Sequence, residues 1–243
     1  MAADFNVEII EKEFVALKKP VIIEGFPSVG LVGAIATEFI ASKLKMDEIG
    51  FIKSPYLPPI TLIKEGIPRP PIRFYAKDNL VAIVSDTAVP SELVLELSEK
   101  IVEWALHHNA KEVVSLGGIA AADRDKEKKP KVYTVSPYPE MLKVLKKEYP
   151  PVKLGFLTGV YGVLMLECFE KNVPSYGYLA DAHFEYPDPL AAASVVEAVS
   201  KKFSLKIDNS SLIKTSDAME KRLSKLLAQT KKELTKAQPT FYR

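Results

Sequence analysis

The 243-residue sequence predicts an α/β fold, a three-layer αβα sandwich with a largely parallel sheet, followed by a C-terminal helical arm. Three observations predict it. Short apolar runs without alternation, Val21-Ile22-Ile23, Leu80 to Val84 and Val113 to Leu116, are those of strands covered on both faces. A turn rich in glycine or proline leads from such runs into apolar stripes at helical spacing, the βα rhythm of a parallel sheet. After Asp208-Asn209-Ser210-Ser211 the rhythm stops and a highly charged helical segment takes over.

The elements follow in order. Pro20 to Glu24 reads as a buried strand, Gly25 to Gly30 as a turn, and about Leu31 to Leu44 as an apolar helix. Ile49 to Lys53 is a second strand. Six prolines between residues 54 and 71 exclude a central strand there, because proline lacks the amide donor. The stretch of about 54–74 instead suits a projecting hairpin, with Ile60 to Ile63 outgoing, Gly66 at the turn and Ile72 to Tyr75 returning. Leu80 to Val84 is a strand. Pro90 and Ser91 start a helix to His107, whose Leu93, Leu97, Ile101, Trp104 and Ala105 share one face. Val113 to Leu116 is a strand ending at Gly117-Gly118, and Asp123 to Lys131 is a charged loop. Met141 to Lys147 is helical, Val152 to Leu157 a strand, and Thr158-Gly159 leads into a helix to Phe169. Tyr176 to Leu179 is the last strand. Asp188-Pro189 caps a helix to Lys202, with proline at its first position.

This divides the chain into an α/β body, 1–208, a helical arm, 209–238, and a tail, 239–243. Leu212, Met219, Leu223, Leu226 and Leu234 form a narrow stripe near heptad spacing, interrupted by Thr230. Pro239 ends the helix. Within the arm, residues 212–236 read as one long helix, and at 1.5 Å per residue it would reach about 37 Å, enough to carry the tail away from the body as a spacer.

Composition narrows the function. With 47% hydrophobic and 26% charged residues the chain has the makings of a sizeable core. A formal net charge of +2, with lysines interleaved among acids, makes no case for nucleic acid. No apolar run approaches a membrane span and the N-terminus is not a signal peptide, so a cytoplasmic protein is expected. The single cysteine, Cys168, rules out an internal disulfide or a multi-cysteine metal site. Glutamine is confined to Gln229 and Gln238 while Lys and Glu abound, which leans toward a heat-adapted source.

Candidate chemistry is sparse. Gly25, Gly30 and Gly33 sit at a strand-to-helix turn, where free amides and a helix dipole suit an anion. Yet Leu31 and Val32 follow Gly30 in place of the Lys-Ser/Thr of a phosphate loop, and a Gly-x-Gly is absent. Close packing explains these glycines better. His107 and His108 suit a helix end. His183 follows a strand, where α/β sheets place ligands, but no further metal ligand accompanies it. Ser28 lacks the Gly-x-Ser-x-Gly context of a nucleophile. Cys168 reads as a core residue. Asp123, Arg124 and Asp125 belong to a solvated charge run. No catalytic residue, metal or cofactor is expected.

Three stretches carry a family likeness: Glu24-Gly25-Phe26-Pro27-Ser28-Val29-Gly30-Leu31-Val32-Gly33, Leu157-Thr158-Gly159-Val160-Tyr161-Gly162 and Pro187-Asp188-Pro189-Leu190-Ala191-Ala192. In this order and spacing the chain resembles the family of proteasome assembly chaperone two and its archaeal homologues over roughly residues 15–225. The resemblance implies a fold related in outline to nucleoside phosphorylases, self-assembly into a homo-oligomer, and no established catalysis. Some members carry a tyrosine-bearing tail. Here Phe241-Tyr242-Arg243 is similar to the hydrophobic-Tyr-X ending with which proteasome activators and assembly factors dock into the α-ring of the proteasome core particle. Tyr242 would bring a rigid ring with a polar tip, Phe241 a second anchor, and Arg243 a carboxylate for a lysine in the pocket. An ATP-independent assembly chaperone or activator is therefore the expected function. A small-molecule binding protein or enzyme of nucleoside phosphorylase-like fold is the alternative, and a pure scaffold joined through the arm is a third.

Overall fold

The structure is a computed structural model that describes residues 5–12, 17–121, 128–212 and 217–236. Strands β1 (Glu8–Glu11), β2 (Val21–Gly25) and β3 (Asp47–Lys53) bracket helix α1 (Val32–Leu44). The hairpin β4 (Leu62–Lys64) and β5 (Ile67–Arg69) is followed by β6 (Ile72–Lys77), β7 (Leu80–Ser85), α2 (Val94–His107) and β8 (Glu112–Ala120). Then come β9 (Val132–Val135), α3 (Pro139–Leu145), α4 (Val160–Glu170), β10 (Ser175–Ala182), α5 (Pro189–Phe203) and α6 (Asp217–Lys236).

Eight strands form one sheet in the order β1-β3-β6-β7-β2-β8-β10-β9. The central four, β7-β2-β8-β10, are parallel. Antiparallel neighbours extend the sheet at both sides. Along the central strands consecutive side chains enter opposite cores, as the two-residue period requires. Ile22, Val81 and Val113 pack with α2 and α4, whereas Ile23, Ala82 and Val114 pack with α1 and α5. Both faces are thus covered, and the expected three layers are present.

Several elements differ from expectation. Ile72 to Tyr75 is not the hairpin's return strand. The return is β5, and β6 joins the main sheet between β3 and β7. Val152 to Leu157 is not a strand. Pro150-Pro151 precedes it, and pairing stops after Val152 N–H donates to the Thr134 carbonyl at 3.0 Å. The edge position falls to β9, a segment to which the sequence reading assigned no element. Leu212 lies ahead of α6, in a single turn at Ser210–Leu212, and is buried beneath α5 rather than in the arm's stripe.

Helix α6 is not a spacer projecting from the body. Leu223, Leu226 and Leu227 pack on Leu31 and Ile35 at the start of α1. Thr230 does not interrupt this contact. It is buried, and its hydroxyl donates to the Leu226 carbonyl at 2.8 Å, so the polar atom is satisfied within the helix.

Candidate functional site

The β2–α1 turn lies at the carboxyl end of the parallel strands, where the central strand β2 has α/β connections running to both sides. Gly25 and Gly33 touch backbone to backbone. A Cβ on Gly25 would strike the Gly33 carbonyl, and one on Gly33 would strike that of Leu116 in β8. Gly30 adopts φ +61° and Leu31 φ +53°, two successive left-handed residues that turn the chain into α1. The three glycines let a helix start directly against the sheet.

The exposed side of this turn is already filled. The Asp188 amide donates to the Gly30 carbonyl at 2.9 Å. The Asp188 carboxylate accepts from the amides of Ala191 at 2.9 Å and His183 at 3.3 Å, so it caps α5 and ties down the end of β10. His183 stacks on Tyr186, ring centroids 4.3 Å apart, with Nε2 3.9 Å from Asp188. An anion at Gly30 would meet the Asp188 carboxylate, which disfavours the phosphate-like reading of Gly25, Gly30 and Gly33 on electrostatic grounds.

Helix α6 crosses the same end of the sheet. Its leucines seal Leu31, and Arg222 bridges Glu38 of α1 and Asp86, just past β7. Asp86 is shared with the buried Arg73 of β6, which also donates to Tyr75 Oη at 2.9 Å. Further along, Glu233 accepts from the Ser91 amide at 3.2 Å, and Lys231 pairs with Glu185. The crevice where such sheets hold small molecules is therefore roofed by the chain's own helix. Beside α6 an apolar groove of about 350 Å³ remains, lined by Phe26, Val89, Val94, Leu95, Val160 and Leu234 among others.

Beneath the turn a carboxyl group is fully buried. Glu24 Oε2 accepts from the Phe26 amide at 3.1 Å, while Oε1 has no hydrogen-bond partner among the described residues. Burial pushes its pKa up to about 7, against the Ser115 hydroxyl and the Phe26 amide, which lower it. The same dry layer, under α4, raises Tyr161 to about 12 and Cys168 to about 12. A thiol so held is no nucleophile, and Cys168 lies in the core as its sequence context indicated. Ser28 is buried with its hydroxyl unpartnered among the described residues and faces no cleft that exposes it.

The remaining candidates are dispersed. His108 sits at the end of α2, with Nε2 2.7 Å from Glu11 of β1, and His107 packs edge-on against it. Among the described residues no three His, Cys, Asp or Glu side chains converge as a metal site would, and no helix is long and apolar enough to cross a membrane. Asp123, Arg124 and Asp125, and the tail Phe241, Tyr242 and Arg243, lie outside the described residues. Sequence reading missed the Arg222–Asp86–Arg73 chain. Its only signal was an aspartate directly after a buried strand, which reads equally as a turn.

Residues 22–227 match the sequence profile of the PAC2 family. An uncharacterized protein of Methanocaldococcus jannaschii is 31% identical over 236 residues, 97% of each chain. The crystal structure of Pyrococcus furiosus PbaA, described as an archaeal homolog of proteasome-assembly chaperone, superposes with a TM-score of 0.85 at 35% identity, covering 93% of this chain and 98% of that one. Pyrococcus furiosus PbaB, described as an archaeal proteasome activator, shares the fold at a TM-score of 0.76 and 22% identity, over 93% of this chain and 99% of that one. The match runs from the first central strand through the α6 leucines that close the end of the sheet, so the chain belongs to the PAC2 family.

Proposed function

We propose that the protein is an ATP-independent, homo-oligomeric partner of the proteasome core particle, acting as an assembly chaperone or activator. In this reading the Phe241-Tyr242-Arg243 tail enters pockets of the α-ring. The supporting observation is the conjunction of the tail with PAC2 membership and 35% identity to PbaA, itself described as a homolog of a proteasome-assembly chaperone. The anchoring of α6 adds a physical reason. Its described end, Lys236, is held on the body by the Leu234 and Glu233 contacts, so the seven residues 237–243 start from a fixed point. At no more than about 3.6 Å per residue they reach about 25 Å, a search volume far smaller than that of a swinging arm. A fixed origin reduces the entropy lost on docking.

The aromatic pair would provide apolar area with few rotors, and the α-carboxylate of Arg243 would make a charge-assisted bond to a lysine. Co-sedimentation with purified core particle tests the reading. Tyr242→Ala and a variant extended by three residues beyond Arg243 should both lose binding while keeping fold and mass. Parent-like binding by both would refute it.

A further inference from the structure

Strand β6 has two unlike faces. Ile72, Phe74 and Ala76 enter the core beneath α2, whereas Arg73 and Tyr75 lie on the side of α1, where the central strands carry Ile23, Ala82 and Val114. Arg73 is only 2% exposed, and burying a guanidinium costs desolvation that an apolar residue would not. These two residues face a polar cavity of about 430 Å³ between the end of α1, β3, β6 and the hairpin β4–β5, lined by Glu38, Lys45, Glu48, Lys64, Arg69 and Tyr75 among others. Small-molecule sites commonly have this size, about 300–1,000 Å³. The charges in the cavity are unequally served. Glu38 is held by Arg222, and Arg73 by Asp86, the Pro70 carbonyl and Tyr75 Oη. Lys12 and Arg69, however, share the one carboxylate of Glu48, which leaves a surplus positive charge among the described residues. At the mouth, Lys45 and Lys64 are matched by Asp47 and Glu65 nearby in the chain, all exposed, so the rim is neutral and the surplus lies inside. Two donors there lack acceptors among the described residues. Arg69 gives Nη1 to Glu48 at 2.7 Å, and its buried Nε has no acceptor, so the Nε–Nη2 edge of the guanidinium is unused. Tyr75 Oη accepts from Arg73 Nε at 2.9 Å, which turns its own proton elsewhere.

We propose that this cavity binds a small molecule through a carboxylate or phosphate group, whose oxygens accept from the Nε–Nη2 edge of Arg69 and from the Tyr75 hydroxyl. The two donors converge on Glu48. Arg69 is bonded to it, and Tyr75 stands directly across from it in the β3–β6 register, where opposed side chains share a face. A planar guanidinium edge matches two oxygens of one oxyanion, and the bound charge cancels the surplus that Glu48 alone does not. Ala41, Met46, Leu62 and Val84 give the rest of the molecule an apolar strip to lie on. The site is separate from the crevice at the β2–α1 turn, which α6 closes, and it is independent of docking to the core particle.

Isothermal titration calorimetry of the full chain with inorganic phosphate, glycerol 3-phosphate and pyruvate tests the site. At least one of the three should bind one-to-one with a Kd of about 1 mM or below, and the tightest of them tells a phosphate from a carboxylate head group. Arg69→Lys keeps a cation for Glu48 and loses the planar edge, so binding should weaken at least about tenfold. Arg69 lies on the hairpin, outside the main sheet, so this change leaves the core untouched. Tyr75→Phe removes the second donor and should weaken binding by about the same factor. Lys225→Ala, on α6 and outside the cavity, should bind like the parent. Circular dichroism with a thermal melt confirms that each variant is folded. Saturable binding by none of the three anions, parent-like binding by Arg69→Lys or by folded Tyr75→Phe, or an equal loss in Lys225→Ala would each overturn the proposal, the last by showing that anions gather on the lysine-rich surface of α6 instead.

Discussion

Glu24 is a carboxyl group enclosed by the sheet and α4 with no cation beside it, and its protonation should govern stability. Below about pH 4.5, its ordinary value, the group is protonated in folded and unfolded chains alike and makes no difference between them. As pH rises from there the unfolded chain releases the proton while the folded one keeps it until about 7. Stability is therefore present at low pH and lost across that window, by about 3 kcal/mol in all, from about 1.36 kcal/mol for each unit of difference. Glu24→Gln, always neutral, should abolish most of that loss. Thermal melts at pH 5 and pH 8 should show a smaller drop for the variant than for the parent, and equal drops would contradict the burial argument. Asp188 is a different case, a cap with two backbone donors. Asp188→Ala should cost about 1 kcal/mol or more, whereas Asp188→Asn should retain most of it, read as urea midpoints. Of these two residues only Asp188 was legible in the sequence, because Asp-Pro before an alanine-rich run is a helix start wherever it occurs. A glutamate ending a strand is normally solvated. Its burial comes from α4, more than a hundred residues away, and no local pattern records that.

Elements with an internal period were readable, and elements defined by their neighbours were not. Helices α2 and α5 follow from apolar spacing and capping residues carried in their own sequence. Val152 to Leu157 has strand composition, yet β9 occupies the position beside β10 while Leu154 and Phe156 point into solvent. Edge pairing is a competition between segments, and local propensity cannot decide it. Helix α6 shows the same limit. Its apolar stripe predicted a contact without saying against what, and Thr230 looked like a break because the bond that satisfies its hydroxyl runs to the helix's own backbone. What holds α6 is one leucine cluster, the Arg222 bridge and the Lys231, Glu233 and Leu234 contacts near its end. That is little area compared with the strands beneath, so α6 should open as a unit before the sheet does. Arg222→Met removes the bridge and keeps the aliphatic stem. Hydrogen exchange across 217–236 should then accelerate about tenfold, equivalent to about 1.4 kcal/mol, while β8 and β10 stay unchanged. Uniform acceleration throughout the chain would mean that α6 is integral to the global unit.

At the scale of the whole molecule the parts constrain one another. The β2–α1 turn needs Leu31 covered, α6 covers it, and α6 in turn fixes where the tail begins. In the proposed docking a single short tail should bind weakly, because ordering seven residues offsets much of what two aromatic anchors and one carboxylate would contribute. In the proposed homo-oligomer, two or more tails held at fixed spacing would bind as one ligand, with a gain of about 10²- to 10⁴-fold and no new contact. Assembly and docking should therefore be coupled in affinity. A synthetic peptide of residues 237–243 should bind immobilised core particle at least about a hundredfold more weakly than the full chain, and an unrelated dimeric domain ending in the same seven residues should recover part of the loss. Surface plasmon resonance on the full chain, the peptide and the fusion makes the comparison. If the free peptide binds as tightly as the full chain, the tail acts alone and spacing between subunits has no part in recognition. If the dimeric fusion binds no better than the free peptide, the body of the protein touches the core particle itself.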